Sequence, residues 1–293
     1  MTESWNRFWF REAAPLGVIA ARVLLASNAL WILLSRPMLP ALRAWPSVFW
    51  DPVDPAILRR FLIFEIPVAV EIALFWILCL SLAATIAGLA PRLNCFVSAL
   101  LLYHFAPFED VLASVGGPFF HGLTIPVTGL MILAVADRPR LESDPSPEWR
   151  WPLALIRLLF AFTYLFSGIS KLANPGLVWA TAANFEGLVL GMVFPDVRPA
   201  WGSVFIGNDL LNWGGAIAGI AMDLLFITAV FSRRAARWIV PAAAAVHLLV
   251  VPVLGVVFLN LPLLLLFVNW DWVQQKQPMS ALLREPVSGR PAE

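Results

Sequence analysis

Residues 157–179 read RLLFAFTYLFSGISKLANPGLVW, an apolar helix that ends in a lysine. Lys171 is followed at once by Asn174, Pro175 and Gly176, and the proline can neither continue the helix nor tolerate helical backbone before it. An ionisable side chain inside or at the edge of a membrane span is costly, so a functional role for Lys171 is one hypothesis to test. The alternative is an anchor, in which the lysine extends its amine to the lipid head groups.

The composition extends this interpretation to the whole chain. Hydrophobic residues make up 60% of the 293 residues, charged residues 13%, and the mean hydropathy is +0.80. Soluble domains carry about 25% charged residues. Apolar runs near span length that do not alternate with polar residues favour helices over a barrel. The sequence therefore predicts an all-α integral membrane protein, a polytopic helical bundle with lipid as its surroundings. The net charge of +1 gives no reason to expect nucleic acid as a partner.

Hydropathy and helix breakers divide the chain into about eight transmembrane helices. Residues 1–14 combine tryptophan, phenylalanine and arginine and predict an interfacial helix. Residues 15–272 form the transmembrane domain, and residues 273–293 a polar tail that we expect to be disordered. Tryptophans lie near many of the predicted span ends, as interfacial anchors do. The predicted spans are 15–35, 61–89, 92–107, 119–136, 151–173, 210–231, 238–252 and 254–270.

The distribution of lysine and arginine predicts the orientation. With eight spans, most of these residues fall on the side of the two termini, which the positive-inside rule assigns to the cytoplasm. Four arginines of the first connector, Arg36, Arg43, Arg59 and Arg60, fall on the other side and oppose this assignment. We expect a protein of the cell (inner) membrane with both termini cytoplasmic.

This orientation places the intramembrane polar residues at one depth. All three histidines, His104, His121 and His247, join Lys171 in the outer half of the bundle, and Glu65 and Glu71 of span 2 belong there too. A lone histidine in a membrane helix is more often an interhelical hydrogen bonder than a site residue. Their common depth favours a polar cavity open to the outer side. The candidate catalytic residues are Lys171, His121 and His247, and the candidate substrate-binding residues are His104, Glu65, Trp179 and Asn184.

Two other polar groups have simpler interpretations. Arg22, Arg157 and Asp223 lie near the predicted inner ends of spans 1, 5 and 6, where we expect an ion-paired structural tie. The histidines have no paired spacing of the His-x-x-x-His kind, and the two cysteines fall in or beside apolar runs, so no metal site is predicted.

The run Ser-Gly-Ile-Ser-Lys-Leu, residues 167–172, follows an aromatic-rich helix and precedes Trp179. It resembles the central motif of the HTTM (horizontally transferred transmembrane) family, and of the membrane module of the vitamin K-dependent gamma-carboxylases, which reads Gly, two residues, Lys and Leu before a tryptophan. A histidine opening a helix upstream, as His121 does, and another before a run like Leu-Gly-Val-Val-Phe-Leu-Asn-Leu-Pro, as His247 is, extend the resemblance over residues 15–270.

The resemblance implies that Lys171 is the base that deprotonates vitamin K hydroquinone or another quinol, with His121 assisting. Ser170 occupies the position of the first lysine of the carboxylases' Lys-Lys pair, and Trp179 comes later than in the family. We expect no counterpart of the carboxylases' extramembrane substrate-binding domain after span 8. The predicted function is a membrane enzyme acting on a quinol-like or other lipid-soluble substrate, with a peptide or protein as a further candidate partner. The alternative is a non-enzymatic membrane protein: a partner subunit, or a peptide-toxin maturation or immunity factor.

Overall fold

The fold is almost entirely helical. The computed structural model describes residues 3–35, 67–116, 122–136, 139–141, 143–173, 176–192 and 201–276, without the side chains of residues 107–116 and 192. Of the described residues, 83% are helical and none belongs to a strand beyond one isolated bridge. The all-α prediction is therefore confirmed. Glu65 and His121, the first connector and most of the polar tail lie outside the described residues.

Eleven α-helices make up the described part of the chain. Four short 3-10 helices, Pro147–Trp149, Gly176–Ala180, Gly202–Val204 and Leu261–Phe267, lie between them. The α-helices are α1 (Glu3–Phe10), α2 (Leu16–Leu34), α3 (Val68–Ala87), α4 (Pro91–Gly116), α5 (Thr124–Val135), α6 (Arg150–Ala173), α7 (Ala182–Met192), α8 (Asp209–Leu225), α9 (Thr228–Phe231), α10 (Arg233–Leu254) and α11 (Trp270–Lys276).

Local sequence explains where several helices begin and end. Asn208 and Ser232 precede α8 and α10, and their side chains accept hydrogen bonds from the free backbone N–H groups of the first turn. Gly88 and Gly255 end α3 and α10 at φ values of 75° and 69°, which glycine adopts without strain. Proline directly precedes α2 and α3 and opens α4, where its missing N–H costs nothing.

Within the part of the chain that the structure describes, four helical stretches are long and apolar enough to cross a membrane: Leu16–Leu34, Val68–Ala87, Pro147–Ala173 and Arg233–Leu254. The other predicted spans differ in length or form. Residues 210–231 divide into α8 and the short α9. Residues 254–270 were expected to form one helix, and this expectation is wrong. Gly255 ends α10 in left-handed backbone, and only the 3-10 helix Leu261–Phe267, with a proline in its first turn, follows before α11.

The core centres on α2. This helix packs against α3, α5, α6, α11 and the 3-10 helix Leu261–Phe267, and Leu25, Ile32 and Leu33 on it are fully buried. A Cβ on Gly129 of α5 would lie 2.6 Å from Leu25, so the contact between α2 and α5 needs a residue without a side chain. Small residues at helix contacts are typical of helices that associate in lipid by close packing.

Residues 13–16 meet α11 and Ser146 at one end of the bundle. Ala13 pairs with Ser146 in the isolated bridge, with N–H to carbonyl distances of 3.1 and 3.2 Å. Asp271 of α11 accepts a hydrogen bond from the backbone N–H of Ala14 at 2.9 Å, and Gln274 accepts one from Leu16. Side chains of α11 therefore accept hydrogen bonds from backbone N–H groups at the start of α2. One end of the bundle holds the N-terminal segment, residues 143–150 and α11.

Candidate functional site

Lys171 does not extend away from the bundle. Its Nζ donates to Oδ2 of Asp223 at 2.6 Å, and the two side chains are 26% and 12% exposed. The Ser167 hydroxyl donates to the same oxygen at 3.0 Å. Asp223 is thus an acceptor for two side chains of α6, and the pair joins the last turns of α6 to the end of α8.

The sequence of α6 makes this pair possible. Ser167 and Lys171 are four residues apart and lie on one helix face. Gly168 lies between them, and a Cβ there would meet the Cβ of Asp223 and the side chain of Leu224, both at 2.9 Å. The glycine therefore lets α8 approach closely enough for a short carboxylate to reach the lysine.

Trp179 lies in the 3-10 helix Gly176–Ala180, which follows α6, and its ring packs over the Lys171 ammonium. The Lys171 ammonium lies 4.9 Å from the centre of the Trp179 ring, within the range of a cation–π contact. The Asn184 side chain donates to the carbonyl of Trp179 at 3.4 Å, and the Asn184 backbone N–H donates to the Thr181 hydroxyl at 3.3 Å. Of the predicted substrate-binding residues, Trp179 therefore contacts Lys171 directly, and Asn184 supports the tryptophan.

A second pair lies on the same helix. The Tyr164 hydroxyl and Nε2 of His247 are 2.6 Å apart, with the donor set by the imidazole tautomer. His247 is buried and rests on Phe258, with ring centroids 3.9 Å apart, and Tyr164 stacks on Phe226 at 4.2 Å. The other ring nitrogen of His247, Nδ1, is buried and finds no hydrogen-bond partner within the part of the chain that the structure describes.

The two pairs act on each other electrostatically. Lys171 lies close enough to His247, and Asp223 close enough to Tyr164, for their charges to influence each other. Tyr164 and Lys171 are seven residues apart, so they lie on nearly the same face of α6, about 10 Å apart along the axis. The result is one polar cluster between α6, α8 and α10, composed of Tyr164, Ser167, Lys171, Asp223 and His247. We call it the lysine–histidine cluster.

Arg157 belongs to a different set of contacts. Its Nε donates to the carbonyl of Leu266 at 2.6 Å and its Nη2 to that of Val268 at 2.9 Å. The expected tie between Arg22, Arg157 and Asp223 is therefore wrong. Arg157 and Lys171 are fourteen residues apart, about 21 Å along α6, so a carboxylate held by the lysine cannot also reach the arginine. Arg157 instead satisfies carbonyls of the irregular 266–268 segment.

His104 lies in another helix pair. Its Nε2 is 2.9 Å from Oε2 of Glu71, and both residues are buried between α3 and α4. In the same interface the Ser98 hydroxyl donates a hydrogen bond to the Ser81 hydroxyl at 2.9 Å. Glu71 and His104 thus share one depth, as the sequence predicts, but their pair belongs to the α3–α4 interface, whereas the lysine–histidine cluster lies between α6, α8 and α10.

The sequence predicts Lys171, Trp179 and His247 as site residues but does not predict the side chains that they contact. Tyr164 carried a signal, because Arg157, Tyr164 and Lys171 recur every seven residues on one face of a helix. The sequence shows Asp223 as an intramembrane carboxylate. Its predicted partners were Arg22 and Arg157, but the cation that it contacts is Lys171. Ser167 had no signal of its own.

The cluster contains groups that exchange protons and groups that stabilise charge. An imidazole with one ring nitrogen bonded to a phenol and the other unoccupied can take or give a proton at the second nitrogen. The lysine ammonium of the same cluster can stabilise an oxyanion.

Comparison of the chain with protein-family models, with curated proteins and with solved structures finds no match.

Proposed function

We propose that the chain is a multi-pass membrane protein. Four helical stretches have the length and composition of membrane spans. Large apolar side chains also point outward along them, including Leu80, Phe166 and Trp238, which are 70%, 62% and 80% exposed. Soluble monomers rarely expose contiguous apolar surface on this scale, whereas lipid tails cover it without cost. A cell-membrane location and cytoplasmic termini complete this proposal.

We further propose that the protein is an enzyme that removes a proton from a lipid-soluble hydroxyl compound. The observation that carries this proposal is the lysine–histidine cluster, above all the buried Nδ1 of His247, which has no hydrogen-bond partner among the described residues. A buried polar atom without a partner costs free energy, and a bound ligand is one way to satisfy it. A bound hydroxyl group would satisfy Nδ1 and place its oxygen near positive charge.

A quinol is the substrate class that fits this chemistry best, with vitamin K hydroquinone as the specific candidate. A hydroquinone is amphipathic and soluble in lipid, and its hydroxyl is a weak acid. Tyr164 of the cluster and its aromatic neighbours Phe226 and Phe258 would pack against the rings of such a substrate. The HTTM and gamma-carboxylase resemblance of residues 167–172 points to the same class and to Lys171 as the base. In the structure Lys171 donates to Asp223, so a base role requires that the ammonium first transfers a proton to the Asp223 carboxylate and then accepts one from the quinol hydroxyl. The resulting quinolate would be oxidised by oxygen, which is the co-substrate of this proposed reaction.

The test compares Lys171→Arg with Lys171→Ala in purified protein reconstituted with vitamin K hydroquinone, with oxygen uptake as the measurement. Arginine keeps the charge and can pair with Asp223, but it does not give up a proton. If Lys171 is a base, both variants fold and both lose oxygen uptake. Wild-type uptake by Lys171→Arg would contradict the base role, and no uptake above protein-free membranes by the wild type would contradict the quinol.

A second candidate function is non-enzymatic, and the Lys171–Asp223 pair itself favours it. Asp223 is satisfied by Lys171 and Ser167, and Gly168 packs directly on it, as in an interhelical tie. In that case the cluster holds α6 and α8 together for a partner subunit or a peptide. This alternative predicts wild-type behaviour of Lys171→Arg and loss of folded protein in Lys171→Ala.

A further inference from the structure

A cavity of about 630 Å³ opens at the end of the bundle where residues 11–14 meet α11. Its lining includes Arg11, Glu12, Arg233, Asp271 and Trp272. The volume is within the range of about 300–1,000 Å³ that small-molecule sites occupy. The lysine–histidine cluster, formed by the far ends of α6 and α8, contributes no residue to this lining.

Positive charge exceeds negative charge around this cavity. Arg11 and Arg233 reach Oδ2 of Asp271 at 3.7 and 3.5 Å. Arg150 and Arg157 lie close enough to Asp271 and Arg233 to interact with them electrostatically. Arg11 and Arg233 share the lining with Glu12 and Asp271, whereas Arg150 and Arg157 lie outside it and donate to backbone carbonyls. The two arginines outside the lining add positive charge to a lining whose own four charges balance.

The two lining arginines can bind a further anion. Charge-assisted N–H to oxygen bonds measure about 2.7–2.9 Å, so the contacts of Arg11 and Arg233 with Asp271 are looser than hydrogen bonds. Asp271 is fixed by the Ala14 N–H on its other oxygen. The Arg11 and Arg233 side chains are 43% and 60% exposed, so an incoming group can reach them.

We propose that this cavity binds the phosphate of an anionic phospholipid head group through Arg11 and Arg233. Basic pockets between membrane helices at the cytoplasmic surface are suited to such head groups, because the guanidinium fork matches phosphate oxygens. Trp272 on the rim and the aromatic helix α1 beside it suit the interfacial depth at which head groups lie. This inference rests on the proposed membrane placement but not on the proposed acid–base chemistry.

The experiment measures lipid retained by the purified protein in native mass spectrometry, with phosphatidylglycerol against phosphatidylcholine. The wild type should retain phosphatidylglycerol in preference to phosphatidylcholine. The double variant Arg11→Gln, Arg233→Gln should lose at least fivefold of that retention. The control Arg7→Gln, Arg237→Gln removes the same charge from exposed positions at the same end and should retain the lipid.

Thermal unfolding with inorganic phosphate separates the two sources of the anion. Stabilisation only by phosphatidylglycerol identifies the head group as the ligand, and stabilisation by both shows that free phosphate enters the same site. No preference of the wild type for phosphatidylglycerol overturns the proposal without any substitution. Equal loss in the test and control variants overturns it too, because diffuse charge then explains the binding. Protein that stays soluble without detergent contradicts the membrane placement instead.

Discussion

Lys171 and Asp223 form a 2.6 Å ion pair that joins the last turn of α6 to the last turn of α8. The lysine lies two residues before its helix ends, where an anchor would extend its amine away from the protein. Here the amine turns back to a carboxylate that is itself 12% exposed. The pair therefore belongs both to the proposed site and to the contact between two helices. For each variant of these residues, activity and stability must both be measured.

Removal of the carboxylate should destabilise the protein. Asp223→Ala leaves the Lys171 ammonium partly buried without its partner, and we expect a loss of about 1–3 kcal/mol, reduced from the cost of a fully buried pair by the partial exposure of the lysine. Thermal unfolding in detergent is the measurement. The double variant Asp223→Ala, Lys171→Met should recover part of the loss, because no charge is then stranded. Equal stability of Asp223→Ala and the wild type would show that the Lys171–Asp223 pair does not stabilise the fold.

Gly168 should tolerate no side chain. A Cβ there would lie 2.9 Å from the Cβ of Asp223, which the backbone of α8 fixes, so Gly168→Ala must push α6 and α8 apart. We expect a cost of roughly 1–3 kcal/mol in thermal unfolding, as for overpacked cores. Gly219→Ala, on α8 with open space at its Cβ, is the matched control and should be neutral or slightly stabilising, since alanine favours helix. Equal effects of the two substitutions would argue against close contact at Gly168.

The helices that sequence predicted best are those with local start and stop signals. The spans 15–35 and 151–173 compare with α2, Leu16–Leu34, and α6, Arg150–Ala173. Pro15 and the Asn174-Pro175 pair set these boundaries through backbone chemistry that acts within a few residues. Boundaries of this kind need no knowledge of the rest of the fold.

The partners within the candidate site depended on long-range packing and could not be predicted in the same way. The predicted span 210–231 is one straight helix. In such a helix Asp223 lies near the inner end of the bundle, at the depth of Arg157. The helix α8 stops at Leu225, and its last turn packs against Gly168, so Asp223 meets Lys171 instead. One break in one helix changed which cation the carboxylate pairs with.

Tyr164→Phe should separate proton chemistry from packing. The substitution keeps the ring that stacks on Phe226 but removes the hydroxyl that holds Nε2 of His247. We expect a folded protein with quinol-dependent oxygen uptake lowered by about 10²-fold, at the lower end of general acid–base effects. Tyr103→Phe removes the chain's other tyrosine hydroxyl, on α4, and should keep its activity. Unchanged uptake in Tyr164→Phe would exclude the tyrosine–histidine pair from the reaction.

His247→Gln tests the unoccupied ring nitrogen directly. Glutamine can still hydrogen-bond the Tyr164 hydroxyl but cannot take a proton, so we expect folded protein and a loss of oxygen uptake of about 10²–10⁴-fold. His104→Gln, in the separate α3–α4 interface, is the comparison, and it should affect stability through Glu71 more than uptake. Loss of uptake in both variants with equal stability would instead support a single cavity shared by the two histidines.

The orientation can be tested with single cysteines, because the native Cys79 and Cys95 are buried and should react slowly. Ser280→Cys follows α11, whose Asp271 contacts the N-terminal end of α2, so it should share the side of Glu3→Cys on α1. Ser203→Cys lies beside the Trp201 N–H that bonds the carbonyl of Pro252, near the far end of α10, and should label from the opposite side. A membrane-impermeant maleimide applied to intact cells is therefore expected to label Ser203→Cys alone. Labelling of Ser280→Cys and Glu3→Cys from outside would invert the proposed orientation while preserving the fold, whereas labelling of those two from different sides would contradict the contact between α11 and α2.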